Sequence, residues 1–336
     1  MIFHLGSYIS NQLRLLAKLN TARMLNYLKI QASLGISGIL SRPVVWSQPF
    51  SVHLETASVC NLKCPECITG MKLTNRSSKL MDVELVKEKL KLHQKHAFYC
   101  NLYFQGEPFL NLQLAEIIKL TKDMNYYSVV STNGHFLNEK KCISIIESGL
   151  DKLIVSLDGI DSESYSKYRS GGFFSKVTQG ISQMAKTKKE LNKRNPLLVV
   201  QMLVNKTNEH QLDKARRFVK DLGADMLELK SMQIYTDEGR KQFLPSGKKF
   251  NRYSGKNRNY SSHSHNKGVC NRLWSHVVYT SDGLMVPCCY DKKPEYIING
   301  ENRVNSNLWR SEQMQDFRSK LFKNEEVPEI CRNCES

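Results

Sequence analysis

From Phe50 to about Lys230 the chain alternates short runs rich in β-branched and aromatic residues with longer runs whose apolar residues recur at helical spacing. This alternation constrains the fold more than any other feature, because it is the signature of repeated βα units around a parallel sheet. Six strands are expected, at Phe50–Glu55, Phe98–Phe104, Tyr127–Thr132, Leu153–Leu157, Leu197–Leu203 and Met226–Lys230. The runs between them carry apolar faces such as Leu114, Ile117 and Ile118, or Val177, Ile181 and Met184, or Leu212, Ala215, Val219 and Leu222, and Asp82 is placed to cap the first helix. Six units of this kind make a partial barrel or an open α/β sheet. Either architecture puts the chemistry at the C-terminal ends of the strands.

The 336 residues exceed the usual size of one compact domain, and 40% hydrophobic with 24% charged residues is a globular composition. With a mean hydropathy of -0.44 and no apolar run near the length of a span, no membrane-crossing helix is expected. The net charge of +17 is unevenly spread. No acidic residue precedes Glu55, while Arg14, Lys18, Arg23, Lys29 and Arg42 all do; none lies from Gly239 to Ser281, where nine Lys and Arg fall. Such segments suit a phosphate-bearing substrate, a nucleic acid, an acidic peptide or an anionic membrane surface, and equally a solvated basic surface.

Residues 8 to 40 read as two basic amphipathic helices, with Leu13, Leu16 and Leu19 on one face and then Leu25, Leu28 and Ile30, closed by Pro43 and Pro49. A helical arm packed against the main domain is expected. Docking on a membrane surface is the alternative, for which dense aromatic anchors are lacking. Residues 239–268 form a polar, basic connector rich in Gly, Ser and Asn. The expected organisation is therefore an arm over 1–48, an α/β domain over 49–238, the connector over 239–268, and a small cysteine-bearing module over 269–336.

Ten cysteines are too many for incidental packing. The first residues lack the charged start, uninterrupted apolar core and small-residue cleavage site of a secretory signal, so a cytoplasmic location is expected, and there clustered cysteines are better explained by metal ligation than by disulfides. Cys60, Cys64 and Cys67 form a Cys-x3-Cys-x2-Cys triplet in the loop after the first expected strand. Three thiolates so close together can ligate three irons of a 4Fe-4S cluster and leave the fourth open. A three-thiolate zinc site and a redox dithiol are the alternatives, although structural zinc prefers four ligands and no fourth stands close by.

This triplet after the first strand of a six-unit βα barrel resembles the radical S-adenosylmethionine (radical SAM) superfamily, from about Phe50 to the C-terminus. Further motifs follow in order, one per strand end. Gln105-Gly106-Glu107-Pro108 is similar to the Gly-Gly-Glu-Pro that binds the methionine amino group in that family, with the first glycine replaced. Ser131-Thr132-Asn133-Gly134 is similar to the segment whose Ser and Asn bond the ribose hydroxyls, which assigns Ser131 and Asn133 to that contact. By the same resemblance Ser156 and Arg169 would hold the cofactor carboxylate, and a guanidinium suits bidentate carboxylate binding. Each of these is also an ordinary turn when taken alone. The resemblance implies a partial (βα)6 TIM-type barrel and reductive cleavage of S-adenosylmethionine to a 5'-deoxyadenosyl radical.

Cys270, then twelve residues to Gly283, four more to Cys288, and finally Cys331 and Cys334 resemble the SPASM/twitch extension of radical SAM enzymes in its short form. That resemblance implies one auxiliary 4Fe-4S cluster with four cysteine ligands, and four-thiolate zinc is the alternative occupant. The glycine spacing favours Cys288 over its neighbour Cys289. Cys100 and Cys142 are expected as buried free thiols, and His263 and His265 as surface residues.

A fully ligated auxiliary cluster suits electron transfer, so the expected reaction is dehydrogenation of a small, anionic substrate, with a one-electron reductase or a flavodoxin- or ferredoxin-like donor as partner. Maturation of a ribosomally made peptide is the alternative within the family. From a different class, the rival is a zinc-stabilised nucleic-acid-binding protein, with Phe243, Phe250, Tyr253 and Tyr260 interleaved among the basic residues. No residue identifies a general base; Glu228, Lys230 and Gln233 are candidates by position alone.

Overall fold

A computed structural model describes residues 1–74, 76–254, 261–262, 268–298, 308–323 and 327–334. The chain opens with α1 (Leu5–Leu16) and α2 (Thr21–Leu40), and then alternates strands and helices. These are β1 (Ser51–Leu54), α3 (Val83–His93), β2 (Tyr99–Asn101), α4 (Leu114–Asp123), β3 (Tyr127–Thr132), α5 (Glu139–Glu147), β4 (Lys152–Ser156), α6 (Ser162–Tyr168), α7 (Phe174–Glu190), β5 (Leu197–Val204), α8 (Leu212–Asp221) and β6 (Met226–Ser231). All six expected strands are present, side by side in sequence order and parallel throughout.

Alternate strand residues serve two different cores, as the pleat of a curved sheet requires. Val130, Leu153, Val155, Leu198, Val200 and Met202 pack with the helix residues Ile117, Ile118, Val177, Ile181, Met184, Ala215 and Val219. Tyr127, Val129, Ile154, Leu197 and Val199 form a separate inner cluster. Asp82 caps α3 as expected, its carboxylate accepting from the Leu85 amide at 2.7 Å.

The C-terminal module is continuous with the barrel sheet. After α9 (Asp237–Phe243) and a short antiparallel pair, β7 (Tyr253–Ser254) with β8 (Ser261–Ser262), the chain forms α10 (Asn271–Ser275), β9 (His276–Tyr279) and β10 (Met285–Val286). β9 lies parallel to β1, with Ser51 opposite His276 and Leu54 opposite Tyr279, and β10 returns antiparallel at the edge. One eight-stranded sheet, in the order β10-β9-β1-β2-β3-β4-β5-β6, therefore crosses the expected boundary between domain and module. α11 (Glu312–Ser319) and α12 (Glu329–Arg332) complete the described residues. The connector expected from residue 239 begins inside α9; within it Lys256, Arg258, Tyr260, His263, His265 and Lys267 lie outside the described residues.

The N-terminal arm docks through a face the sequence did not suggest. On α1, Tyr8 and Leu15 pack against the inner barrel cluster, and between them Asn11 donates to the Asp151 carbonyl and accepts from the Tyr127 hydroxyl at 2.7 Å. On α2 the buried positions are Arg23, Asn26, Ile30, Ser33 and Ser37. Arg23 donates to the carbonyls of Lys18, Asn125 and Gln94, closing the N-terminal end of the barrel. Of the apolar residues expected to form the packing face, Ile30 is buried, whereas Leu13, Leu16, Leu25 and Leu28 face solvent. The polar groups are inside because they meet the backbone carbonyls at the strand starts, which must have hydrogen-bond partners.

Candidate active site

The loop after β1 is held from several sides. Glu55 at its start is fully buried, takes both guanidinium arms of Arg76 at 2.7 Å, and accepts from the Ser281 amide of the C-terminal module. Within the triplet the Cys67 amide donates to the Cys64 carbonyl, and the Lys63 amide donates to the Ser170 carbonyl of the Arg169 loop. Gly70 is obligatory, since a Cβ there would lie 2.5 Å from the Cys64 carbonyl oxygen. Glu66 is buried and accepts from the Tyr235 amide at 2.6 Å, from the Thr236 amide at 3.3 Å and from the Thr236 hydroxyl. It fastens the cysteine loop to the end of β6.

Cys60, Cys64 and Cys67 open onto a cavity of about 150 Å3 that is also lined by Gly106, Glu107, Ser131, Asn133, Ser156 and Arg169. The nine positions singled out on five separate segments of sequence thus share one cavity at the C-terminal ends of β1 to β4. Burial raises the Cys60 thiol and pushes Cys64 up to about 11, an effect that the nearby Arg169 guanidinium opposes at Cys64.

The cavity walls show roles that the motifs did not. Glu107 is buried and braces three elements, accepting from the Thr132 hydroxyl at 2.7 Å, the Asn133 amide at 2.7 Å and the Phe109 amide at 3.1 Å. Its carboxyl pKa is raised by desolvation and held back by those bonds. Gly106 has φ of +70°, and a Cβ there would overlap the Ala57 carbonyl oxygen. Asn133 donates to Asn61 at 2.8 Å and towards the Cys60 sulfur at 3.8 Å. Its oxygen accepts from His135, whose other ring nitrogen accepts from the Phe173 amide at 2.8 Å. Arg169 donates its Nε to Asp158 at 2.6 Å, and the second oxygen of Asp158 takes the Leu203 amide. Asn61, Glu66, His135 and Asp158 went unrecognised in the sequence because each acts on a partner tens of residues away or through backbone amides.

The second set of cysteines also converges. Cys270 precedes α10, Cys288 follows β10, and Cys331 and Cys334 flank the end of α12. Gly283 makes the β9–β10 turn at φ of +80°. Burial pushes Cys331 up to about 12 with Cys270 and Cys334 as neighbouring thiols, and Cys288 is raised beside Cys289 and Cys270. Arg272 donates to the Cys334 sulfur at 3.5 Å. Cys289 accepts from Cys288 and is held down by Arg272 and Lys292. Cys100 and Cys142 are fully buried free thiols, as expected.

Both sites fit iron–sulfur clusters on the chemistry of their donors. Three thiols line one cavity and four are linked through mutual electrostatic reach, and N–H groups are aimed at sulfur, as in the Leu62 amide at 3.4 Å from Cys60 and Arg272 at Cys334. Between the sites lies a larger cavity of about 310 Å3, lined by residues that include Gln233, Tyr235, Tyr253, Tyr290, Lys292 and Asn333. Lys292 and Tyr235 are within electrostatic reach of Cys67 as well as Cys289.

The profile of the radical SAM superfamily matches residues 54–219, and that of the SPASM iron-sulfur cluster-binding domain matches residues 270–335. The chain belongs to the radical SAM superfamily. Its cofactors are accordingly 4Fe-4S clusters and S-adenosylmethionine. Among curated relatives, it is 25% identical over 190 residues to the tungsten-containing aldehyde ferredoxin oxidoreductase cofactor-modifying protein of Pyrococcus furiosus, covering 56% of this chain and 52% of that one. It is 26% identical over 190 residues to the PqqA peptide cyclase of Bradyrhizobium diazoefficiens, covering 56% and 47%. The chain thus spans about half the length of these relatives. Among solved structures, Streptococcus suis SuiB bound to S-adenosylmethionine superposes with a TM-score of 0.64 at 14% identity, covering 90% of this chain and 75% of SuiB. SuiB is also solved with its precursor peptide SuiA. The likeness to SuiB establishes the fold: a radical SAM partial barrel followed by a SPASM domain.

Proposed function

We propose that this radical SAM protein is a SPASM-type maturase that oxidatively modifies a ribosomally made peptide. The observation that carries the reading is the 310 Å3 cavity between the two cysteine sites. Its walls combine three tyrosines with side-chain amides and with charges of both signs, Arg240, Lys292, Lys293 and Arg332 with Asp291, Glu295 and Glu329. A peptide presents the matching mixture of backbone polar groups and varied side chains, and an open cavity of this kind accepts an extended chain.

Four of the described positive charges near the cavity are engaged within the protein. Arg240 pairs with Asp237, Arg252 donates to the Asn333 carbonyl, Arg272 to Cys334, and Lys292 to Gln233 at 2.8 Å. Arg252, Arg272 and Lys292 thereby tie the C-terminal module to its surroundings, which leaves fewer charges to select a small anionic substrate. The peptide-acting names of PqqA peptide cyclase and of SuiB with SuiA support the same direction.

When bound, the clusters and S-adenosylmethionine supply a 5'-deoxyadenosyl radical for hydrogen removal and an acceptor for one further electron. The chain's own residues bind and orient. Arg169, fixed by Asp158, presents its remaining guanidinium face to the cofactor carboxylate. Gly106 lets the cofactor's amino end approach the backbone, and Ser131, Asn133 and Ser156 line the remainder of its pocket. Glu107 keeps the ends of β2 and β3 in register around it. Lys292 and Tyr235 line the cavity assigned to the peptide, within electrostatic reach of both cysteine sites.

The test is anaerobic reconstitution followed by turnover with deuterated peptides in one arm and phosphorylated or nucleotide-linked sugars in the other. Deuterium in 5'-deoxyadenosine and loss of two hydrogens from a peptide are expected. Transfer from a sugar alone would overturn the peptide reading in favour of small-molecule dehydrogenation.

A further inference from the structure

The two N-terminal helices leave an apolar surface uncovered. On α1 the exposed positions are Leu5, Ile9, Leu13 and Leu16, spaced four, four and three apart in one stripe. On α2 they are Met24, Leu25, Leu28 and Ile39. Leu13 and Leu28 are each 61% exposed and Ile39 is 82% exposed, so these are not rims of the core. The inner faces are already committed, α1 to the barrel interior through Tyr8 and Leu15, and α2 to the strand starts through Arg23, Asn26 and Ser33. An apolar surface of this extent marks an interaction site.

Charge identifies the occupant. Residues 1 to 54 contain no acidic side chain. Lys18 lies within electrostatic reach of Lys122, with Asp151 beside it paired to Arg14, and Lys29, Lys95 and Arg310 surround His96. The stripe is therefore bordered by cations from both the arm and the domain. Arg310 donates to the Trp46 carbonyl, and the Trp46 side chain beside it is 51% exposed, with Tyr27 also exposed on α2. Apolar residues flanked by Lys and Arg, with aromatic rings at the border, match the boundary between acyl chains and anionic headgroups. A second copy meeting this face through a two-fold axis would set the same cations against one another.

We propose that the outer face of α1 and α2 docks the protein on an anionic lipid bilayer, with both helices lying in the interface plane. Among the described residues no helix is long and apolar enough to cross a membrane. Because α1 closes the N-terminal ends of the strands, docking turns the cavity with Cys60, Cys64 and Cys67 away from the lipid and leaves it open to a substrate from water.

The experiment is co-sedimentation of the reconstituted full chain with vesicles of equal parts phosphatidylglycerol and phosphatidylcholine, and with phosphatidylcholine alone, at low and high salt. Binding to the anionic vesicles that weakens with salt is expected. Leu13→Glu combined with Leu28→Glu lowers vesicle affinity roughly tenfold or more. Leu112→Glu, at a site 84% exposed beyond β2, leaves it unchanged. Iron content and thermal midpoint confirm that the double variant is folded; Leu5→Ser with Leu16→Ser is the milder replacement should it not be, and is expected to weaken binding in the same direction. Absence of wild-type binding to anionic vesicles, or equal binding by a folded stripe variant, overturns the proposal. So does a wild-type dimer that ignores vesicles and is split by the same substitutions, which would assign the face to a second copy.

Discussion

The Glu66 carboxylate, set between Cys64 and Cys67, accepts the Tyr235 backbone amide at 2.6 Å across 169 residues of sequence. Through this bond the loop that carries the triplet and the segment that begins α9 are one rigid unit. Gly239 completes it, because a Cβ there would overlap the Glu66 carboxylate. Glu66→Ala is expected to destabilise the protein by about 2–4 kcal/mol, since buried amides lose a charged acceptor. Gly239→Ala should be as damaging in the wild type and nearly silent in the Glu66→Ala background. Urea midpoints of the four chains measure this cycle, and additive effects would show that the two residues do not act on one another.

A pH dependence follows from His53 on β1, His276 on β9 and His93 at the end of α3. Burial holds His93 and His276 at about 4 and lowers His53 as well, and the His93 ring is 2.9 Å from the Tyr279 hydroxyl. With folded values below the usual 6.5, the unfolded chain takes up protons that the folded chain refuses. Stability is therefore full above pH about 6.5 and falls as pH drops towards about 4, by an amount on the order of 3 kcal/mol each for His93 and His276. Unfolding midpoints between pH 7.5 and 4.5 test the slope, and His93→Gln should flatten it.

Iron uptake carries the opposite signature of raised thiols. Cys64 is pushed up to about 11 and Cys331 up to about 12, so both enter their sites protonated near neutral pH. Each must release its proton when it bonds iron. Anaerobic reconstitution is expected to acidify an unbuffered solution and to speed up from pH 7 to pH 9; a pH-independent rate would contradict the burial of these thiols.

The two cysteine sets should load independently. About eight irons per chain are expected in the wild type and about four after joint replacement of Cys60, Cys64 and Cys67 by Ala. Iron, sulfide and zinc analysis reads the result. About four irons with zinc in the wild type would make the C-terminal site a structural zinc centre.

Asp158 positions Arg169 and does not itself line the cavity. Asp158→Asn is expected to weaken S-adenosylmethionine binding by about tenfold while leaving iron content unchanged. Calorimetric titration of the reconstituted protein measures this, and an unchanged affinity would mean that Arg169 is held in place by its stacking on Tyr168 at 5.5 Å alone.

Much of the fold was legible because its signals are local. Strand and helix periodicity depends on neighbours two to four residues apart, and the six strands from β1 to β6 appear where the alternation places them. The residues around the cavity were legible for a related reason: loops at strand ends carry short motifs whose order along the chain repeats the order of the strands.

By itself, then, the sequence determined the six parallel βα units and the residues presented at their C-terminal ends, since periodicity and strand order leave those side chains little choice of place. Only the tertiary structure decided that β9 extends the barrel sheet beside β1, that Glu66 and Asp158 brace the site from a distance, and that α1 and α2 turn their leucines outward. The physical reason is that each of these depends on long-range competition for partners. Asn11 and Arg23 meet carbonyls at the strand starts that must be satisfied, so the polar faces of the arm go inside and the apolar faces are left for another surface.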